Sequence, residues 1–231
     1  GLINDFRNTQ NSQLILEIIE LSDWLLGQRC NREKWSGSCW GYHFPWQAKA
    51  FYVPVGKPNV ITTVYCSRAL FEASKLAVPQ AKVYAAAALD SANFIEKHLL
   101  SLEGSKGPFV AYIPGEKTFV HNASLWGAAW LLFSGKQLGI GQRVITAKAV
   151  VDRSVGGQGD SGEWVYGAMA HHQFIDGFHT GYNLEAIKFV SDILVTSEYD
   201  QCLSQGLEFY RKNIIGPNGQ PYYYHNNHYP Y

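Results

Sequence analysis

The chain has 231 residues, of which 46% are hydrophobic and 16% are charged, so it can bury a large core as one domain or at most two. Lys plus Arg and Asp plus Glu number 19 each, which leaves no net charge to attract nucleic acid or an anionic membrane. We therefore expect a single domain over residues 1–231 that binds no nucleic acid.

No apolar run approaches the roughly 20 residues needed to span a bilayer, and the N-terminus lacks the pattern of a signal peptide. Cys66 and Cys202 fall in apolar helical stretches, where reduced core thiols are expected. Cys30 and Cys39 share one loop, in which a disulfide is the less favoured alternative. This cysteine usage favours a reducing, cytoplasmic location. An exported location stays open, because a targeting segment removed before residue 1 would leave no trace.

Apolar residues recur at three- and four-residue spacing in seven segments, which predicts a mainly α-helical protein. In chain order the segments are Ser12–Leu26, Asn59–Leu76, Gln80–Leu102, Asn122–Leu138, Gly141–Val155, Asp176–Leu194 and Gln201–Ile214. Two strand-like pieces, Phe109–Ile113 and Glu163–Tyr166, are short and lie next to Gly or Pro.

Three of the predicted helices begin at a residue with a capping side chain, namely Asn59, Asn122 and Asp176. A second helix follows each of them after a short turn. The pattern indicates a helical hairpin repeated three times, with Ser12–Leu26 as the second helix of an earlier hairpin. Such hairpins must stack on neighbours to bury both faces, in a solenoid or in a closed ring.

The first helix of each hairpin is the more apolar, as in NASLWGAAWLLF, and suits an inner layer, whereas the second carries more charge. We therefore predict an α/α toroid in which aromatic loops, with short strands, gather at one mouth. A closed ring of six hairpins needs more than the seven visible helices. The sequence thus predicts an incomplete (α/α)6-type barrel that lacks helices at both ends, with missing segments or self-association covering the gap.

The segment WGYHFPWQ combines rings that stack on sugars with polar groups that bind sugar hydroxyls. It supplies the candidate substrate-binding residues Trp40, Tyr42, Trp46 and Gln47. The alternative is a packed loop that plugs the barrel end, since binding loops and structural loops share this composition.

The segment IDGFHTGYN places Asp176 at a helix N-cap and His179 inside the first turn. Asp176 either only caps or also acts as a general acid or base, and His179 is a group that titrates near neutral pH. Tyr166 lies in the preceding mouth loop, so these three residues are the candidate catalytic residues. Asn183 shares a helix face with His179, and Asn122 opens another inner helix, which makes both candidates for substrate binding.

The residue types favour proton chemistry on a sugar. An Asn or His that neutralises a uronate carboxylate, with a Tyr or His that removes the C5 proton, is what polysaccharide lyases and uronyl epimerases need. Two carboxylates would instead suit a glycosidase. The mouth carboxylates available are Glu116, Asp160, Glu163 and Asp176.

Histidines are paired at 171–172 and spaced at 225 and 228, and neither group has an evident third ligand. We therefore expect no metal and no cofactor. Terpenoid cyclases and zinc-dependent toroid enzymes are disfavoured, because DxDD and DDxxD clusters and an Asp/Cys/His set are absent.

Six segments in order resemble bacterial capsule and exopolysaccharide biosynthesis proteins of the α/α-toroid, six-hairpin glycosidase-like superfamily. They are WGYHFPWQ, PNVITT, HNASLWGAAWL, GEWVYG, IDGFHTGYNLEAI and NGQPYYYHNNHYP. Members of this group often carry the mistaken label δ-aminolevulinic acid dehydratase. The resemblance runs from about Leu14 to Tyr231 and implies a polysaccharide role without a settled reaction. It also implies that Trp164 and Thr180 belong to the cleft and that further helices follow the Tyr–Pro ending.

These observations predict a carbohydrate-active protein of polysaccharide metabolism, similar to a glycoside hydrolase, a lyase or a uronyl epimerase. Its expected partner is an oligo- or polysaccharide, with uronic acid as a candidate constituent. The alternative is a non-catalytic glycan-binding or assembly factor, which would keep the aromatic loops and need no acid–base pair.

Overall fold

Helices make up most of the structure, a computed structural model that describes residues 1–47, 52–103 and 106–230, with the backbone alone for residues 228–230. The helices are α1 (Leu2–Thr9), α2 (Gln13–Gly27), α3 (Val60–Ala73), α4 (Ala81–His98), α5 (His121–Leu138), α6 (Gly141–Val155), α7 (Gly177–Leu194) and α8 (Asp200–Asn213). The strands form three antiparallel pairs: β1 (Trp46–Gln47) with β2 (Tyr52–Val53), β3 (Leu100–Ser101) with β4 (Phe109–Val110), and β5 (Tyr222–Tyr224) with β6 (Asn227–Pro230). Among the residues that the structure describes, no helix is long and apolar enough to cross a membrane.

All seven predicted helices are present, with ends that differ by a few residues. The largest difference is in α4, which was predicted to reach Leu102. It ends at His98, because the chain then enters β3. α1 was not predicted, since eight residues are too few to show a clear period. It packs on α2.

Two compact units divide the described residues. The first contains α1 to α4 and the β1–β2 pair, and the second contains everything from Leu99 onward. Each unit holds helical hairpins of the predicted kind, α3 with α4 in the first, and α5 with α6 and α7 with α8 in the second. That residues 1–231 form one domain stays a prediction.

The first unit is built on α3, which begins where its sequence predicts. Asn59 is buried, and its side-chain oxygen accepts a hydrogen bond of 2.8 Å from the Thr62 amide. Small residues allow α3 and α4 to approach closely. The Ser67 hydroxyl on α3 donates to the Ser91 hydroxyl on α4 at 2.7 Å. The phenol of Tyr84 on α4 donates to Asp23 of α2 at 2.7 Å, which ties the hairpin to the preceding helix.

The second unit is built around α5, most of whose residues are buried. Gly135 lets α6 pack closely, since a Cβ there would lie 2.9 Å from a methyl carbon of Val144. α5 ends at Gly139, which adopts the left-handed conformation (φ 68°) that glycine accepts most readily. The prediction that a second helix follows this one after a short turn is confirmed.

Two details of the second unit differ from the sequence prediction. Asn122 does not cap α5, because the helix already begins at His121 after the extended residue Val120, and the His121 amide donates to the Tyr166 carbonyl. Residues 163–166 form no strand, and only Gly167 makes an isolated bridge, to Val120. The Tyr166 carbonyl of this loop therefore accepts from the start of α5, and its amide donates to the Phe174 carbonyl, rather than joining a sheet.

α5 and α7 run parallel, as predicted for neighbouring inner helices. Phe133 and Phe189 stand at equivalent distances from the starts of α5 and α7, and their ring centroids are 5.9 Å apart. The bond from the His121 amide to Tyr166 joins the start of α5 to the loop that leads into α7. The two inner helices of the second unit thus begin at the same end.

Asn59→Ala is expected to lower the free energy of unfolding by about 1 kcal/mol, because it removes the acceptor of the Thr62 amide. Asn59→Ser keeps a capping oxygen and should recover most of this loss. Urea unfolding followed by far-ultraviolet circular dichroism measures both. An equal loss in the two variants would show that Asn59 acts through packing and not through capping.

The four cysteines are free thiols with different chemical environments. A hydrogen bond between the Cys30 and Cys39 side chains lowers the pKa of Cys30 and raises that of Cys39. Burial raises the pKa of Cys66 to about 12 and that of Cys202 to about 11. Cys30 is therefore the residue with the largest thiolate fraction near neutral pH.

In the folded protein at pH 8, iodoacetamide should alkylate Cys30 well before Cys66 and Cys202, because the thiolate is the reacting form. Peptide mass spectrometry after timed quenching gives the rate at each thiol. Cys39→Ala removes the hydrogen-bond donor and should slow the reaction at Cys30. Labelling of Cys202 as fast as Cys30 would contradict the assignment.

Candidate functional site

The start of α7 is fixed by Asp176, as its sequence predicts. Asp176 is extended, and one carboxylate oxygen accepts the His179 amide at 2.7 Å. Its carbonyl accepts the Thr180 hydroxyl at 2.6 Å, so Thr180 is engaged within the first turn. An isolated bridge from Asp176 to Tyr224 holds the entry of α7 against β5.

The second carboxylate oxygen of Asp176 holds the side chain of His179. Oδ2 lies 2.6 Å from Nδ1 of the imidazole. The Asp176 side chain is 1% exposed and that of His179 is 22% exposed. Within the described chain, Nε2 of His179 has no hydrogen-bond partner. The pair therefore presents one imidazole nitrogen to solvent while a buried carboxylate orients the ring, an arrangement typical of an activated base.

Tyr166 completes the group of candidate catalytic residues. Its ring centroid lies 4.5 Å from that of His179, and its other face stacks on Phe174 at 5.0 Å. The amide of Tyr166 donates to the Phe174 carbonyl at 2.9 Å, which fixes the loop beside α7. The structure thus brings Asp176, His179 and Tyr166 together.

An aromatic pair that the sequence analysis missed lies beside this group. Phe178 is 49% exposed, and its ring lies edge-on to His179 at 5.4 Å and 4.6 Å from the ring of Tyr182. The two rings are four residues apart on α7, so one turn of helix places them on one face. That spacing, read from the helix start, is the signal that would have found them.

Tyr210 of α8 lies in the electrostatic field of the same carboxylate. Burial, and then the negative charge of Asp176, raise the pKa of the Tyr210 phenol. Its ring approaches α7 at Gly181, where a Cβ would lie 3.8 Å from it. Tyr210 therefore stays protonated near neutral pH.

The other predicted carboxylates are held in their own loops. Burial acts to raise the pKa of Glu163, but hydrogen bonds, first from the Ser161 hydroxyl at 2.7 Å, outweigh it and lower the pKa. The same balance lowers the pKa of Glu116, which accepts from the Thr118 hydroxyl and amide. A glycosidase general acid needs the opposite shift. Asp160 lies exposed in a turn.

Three further predicted residues lie in the interior of the second unit. Trp164 is 2% exposed, and its indole nitrogen donates to the Ser154 carbonyl at 3.0 Å, which gives it a packing role. Asn122 and Asn183 are also buried. Each has a side-chain oxygen without a hydrogen-bond partner in the described residues. Such an acceptor marks a place where water or a ligand group can bind.

The predicted residues of the first unit separate into a core residue and an exposed group. Trp40 is 2% exposed and donates from its indole nitrogen to the Leu25 carbonyl at 2.7 Å. Tyr42 stacks on Phe44 at 5.2 Å and meets Trp46 edge-on at 5.5 Å. Trp46 is 37% exposed, and the next residue, Gln47, is exposed in β1. Tyr42, Phe44 and Trp46 thus form an open aromatic cluster.

No group of three His, Cys, Asp or Glu residues arranged to hold a metal ion occurs among the described residues. His172 is buried against Tyr166, with ring centroids 5.2 Å apart. Nδ1 of His225 lies 3.2 Å from the Ile175 carbonyl, where it supports the loop that enters α7.

No family model and no curated protein sequence matches this chain. Solved structures do match. A possible member of the GH105 family from Klebsiella pneumoniae has a TM-score of 0.71 at 15% identity, over 96% of this chain and 59% of that one. Cellobiose 2-epimerase from Bacillus thermoamylovorans has a TM-score of 0.70 at 11% identity, over 96% and 60%. The GH76 α-mannanase of Bacteroides thetaiotaomicron has a TM-score of 0.63 at 13% identity, over 99% and 59%.

Identities this low carry the fold and not the activity. The matches confirm the predicted fold class, an α/α toroid built from helical hairpins with a few short strands. The chain spans 59–60% of the length of the structures that it matches.

Proposed function

We propose that this protein is a carbohydrate-active enzyme of polysaccharide metabolism. In this proposal His179 removes a proton from a carbon of the sugar. The single observation that carries the proposal is the contact of 2.6 Å between Nδ1 of His179 and the buried carboxylate of Asp176. The solved structures that share the fold include proteins described as an epimerase and as members of glycoside hydrolase families, which supports a saccharide as substrate.

The chemistry follows from the orientation of the imidazole. A carboxylate that accepts from Nδ1 leaves the lone pair on Nε2, which is the side open to solvent. Such a nitrogen can remove a proton from a carbon next to a carboxylate or a carbonyl, the first step of elimination and of epimerisation. In this scheme Asp176 is a positioning residue, because both of its oxygens are engaged.

Hydrolysis is the second candidate and has less support. Glycosidases use two carboxyl groups at a defined separation, one of them with a raised pKa. At this site Asp176 is buried, and the pKa values of Glu163 and Glu116 are lowered. Proton transfer by His179 therefore accounts for the geometry better.

Exposed rings supply the surfaces on which a sugar can stack. Phe178 and Tyr182 lie beside His179, and Trp46 is exposed with Tyr42 in the first unit. Aromatic faces bury the C–H side of a pyranose and leave its hydroxyls free. We propose that the glycan is a capsule or exopolysaccharide, as the motifs of the sequence imply.

A panel of bacterial exopolysaccharide oligomers incubated with the protein in D2O tests the reaction class. Deuterium at a sugar carbon indicates epimerisation, and ultraviolet absorbance of a new double bond indicates elimination. His179→Gln should lower turnover by about 100-fold or more, the usual loss of a general base. His171→Gln, the same substitution at an exposed histidine outside the proposed site, is the matched control and should keep the rate. New reducing ends without exchange or unsaturation would favour hydrolysis, and binding without any product would favour the non-catalytic alternative.

Asp176→Asn should preserve α7 and invert the tautomer of His179. The Asn oxygen can still cap the helix, which leaves its NH2 group facing Nδ1 of His179. Nδ1 must then accept a hydrogen bond, so the ring proton moves to Nε2. The solvent-facing Nε2 therefore no longer has a lone pair with which to remove a proton. Nitrogen-15 NMR of the imidazole should show the exchange, with unfolding free energy changed by less than about 1 kcal/mol. Full turnover with an inverted tautomer would remove His179 from the proposed role.

A further inference from the structure

A cleft of about 440 Å³ opens in the second unit where α6 ends, apart from the Asp176–His179 pair. Residues that line it include Lys106, Phe119, His121, Arg153, Gly157 and Ala168. Its volume is in the range of small-molecule sites. The cleft thus combines two cationic side chains and a histidine with an apolar wall.

Arg153 is the central cation of this cleft. Its guanidinium lies 4.2 Å from the ring centroid of Phe119 and 5.1 Å from that of Phe109. Nη1 donates to the Gly107 carbonyl at 2.5 Å, and no carboxylate of the described chain pairs with Arg153. An arginine that is stacked and held in place without a counter-ion is prepared to bind an oxyanion.

Among the described residues one carboxylate lines the cleft, and it is paired with a lysine that Glu198 shares. Asp152 accepts from Nζ of Lys148 at 3.0 Å and from the Tyr199 phenol at 2.9 Å. Lys106 is exposed at the opening and adds a second positive charge. The electrostatics of the cleft therefore favour an anion.

His121 gives an independent indication of a ligand. It is 5% exposed and lines the cleft, and its Nδ1 has no hydrogen-bond partner among the described residues. Gly157 leaves room for the ring, since a Cβ there would lie 2.7 Å from Cε1 of His121. Burial, and then the charge of Arg153, lower the pKa of His121 to about 4, so the ring is neutral and offers one donor and one acceptor.

One loop separates the cleft from the proposed catalytic group. Val165 and Gly167 line the cleft, whereas the ring of Tyr166 between them contacts His179.

We propose that this cleft binds the oxyanion of an acidic sugar, either a carboxylate or a phosphate ester. Arg153 pairs with the oxyanion, and the imidazole of His121 hydrogen-bonds to a hydroxyl of the same sugar. The sugar part of the proposal rests on the carbohydrate role proposed above, whereas the oxyanion part rests on the cleft alone.

Isothermal titration at low ionic strength with D-glucuronate, D-glucose 6-phosphate, D-glucose and inorganic phosphate tests this assignment. An acidic sugar should bind at least about tenfold more tightly than glucose and than inorganic phosphate. Ala168 is exposed at the rim, so Ala168→Glu adds repulsion without disturbing the core and should weaken binding at least about tenfold. Ala168→Gln is the control of equal size and should retain affinity.

Arg153→Gln should abolish binding of the acidic sugar, and Arg211→Gln, on the exposed face of α8, should not. Binding of neither acidic sugar, or equal affinity in Ala168→Glu and Ala168→Gln, would overturn the proposal. Inorganic phosphate that binds as tightly as the acidic sugars would show a site for the free anion and would also overturn it. Asp176→Asn should bind the acidic sugar with unchanged affinity. Loss of turnover in this variant would then be distinguishable from loss of binding at the cleft.

Discussion

The carboxylate of Asp176 is the constraint on which the rest of the second unit depends. One oxygen caps α7 through the His179 amide, and the other orients the His179 imidazole. The two bonds leave the carboxylate 1% exposed, so helix start and side-chain orientation are set by one buried group. A buried carboxylate is costly unless it is hydrogen-bonded, and here the cost is offset by the same contacts that would serve catalysis.

The loop around Tyr166 transmits this constraint to the neighbouring hairpin. Its amide is bonded to Phe174 before α7, and its carbonyl accepts from His121 at the start of α5. The two inner helices therefore begin in register with a short piece of extended chain between them. Tyr166 thus faces His179, while Val165 and Gly167 face the cleft that contains Arg153.

Periodicity and capping residues predicted the helices well, because those signals are local. Asn59 and Asp176 cap as expected, because their side-chain oxygens accept the amides of Thr62 and His179. Asn122 does not, because a carbonyl from a distant loop, that of Tyr166, already satisfies the start of α5. Whether a polar residue caps a helix is thus decided partly by contacts that no local pattern contains.

The same distinction explains which site residues the sequence could find. Asp176 and His179 share one helical turn, so their contact follows from spacing alone. Burial of Trp164 follows from its hydrogen bond to Ser154 on α6 and cannot be read from an aromatic loop. Arg153 looks like an ordinary charge on an outer helix, and only the folded chain places it over Phe119 and beside His121. Arg153 lies at the end of a charged helix and has no carboxylate partner in the described chain. This missing partner indicates an anion site, which the charge pattern of the sequence alone does not.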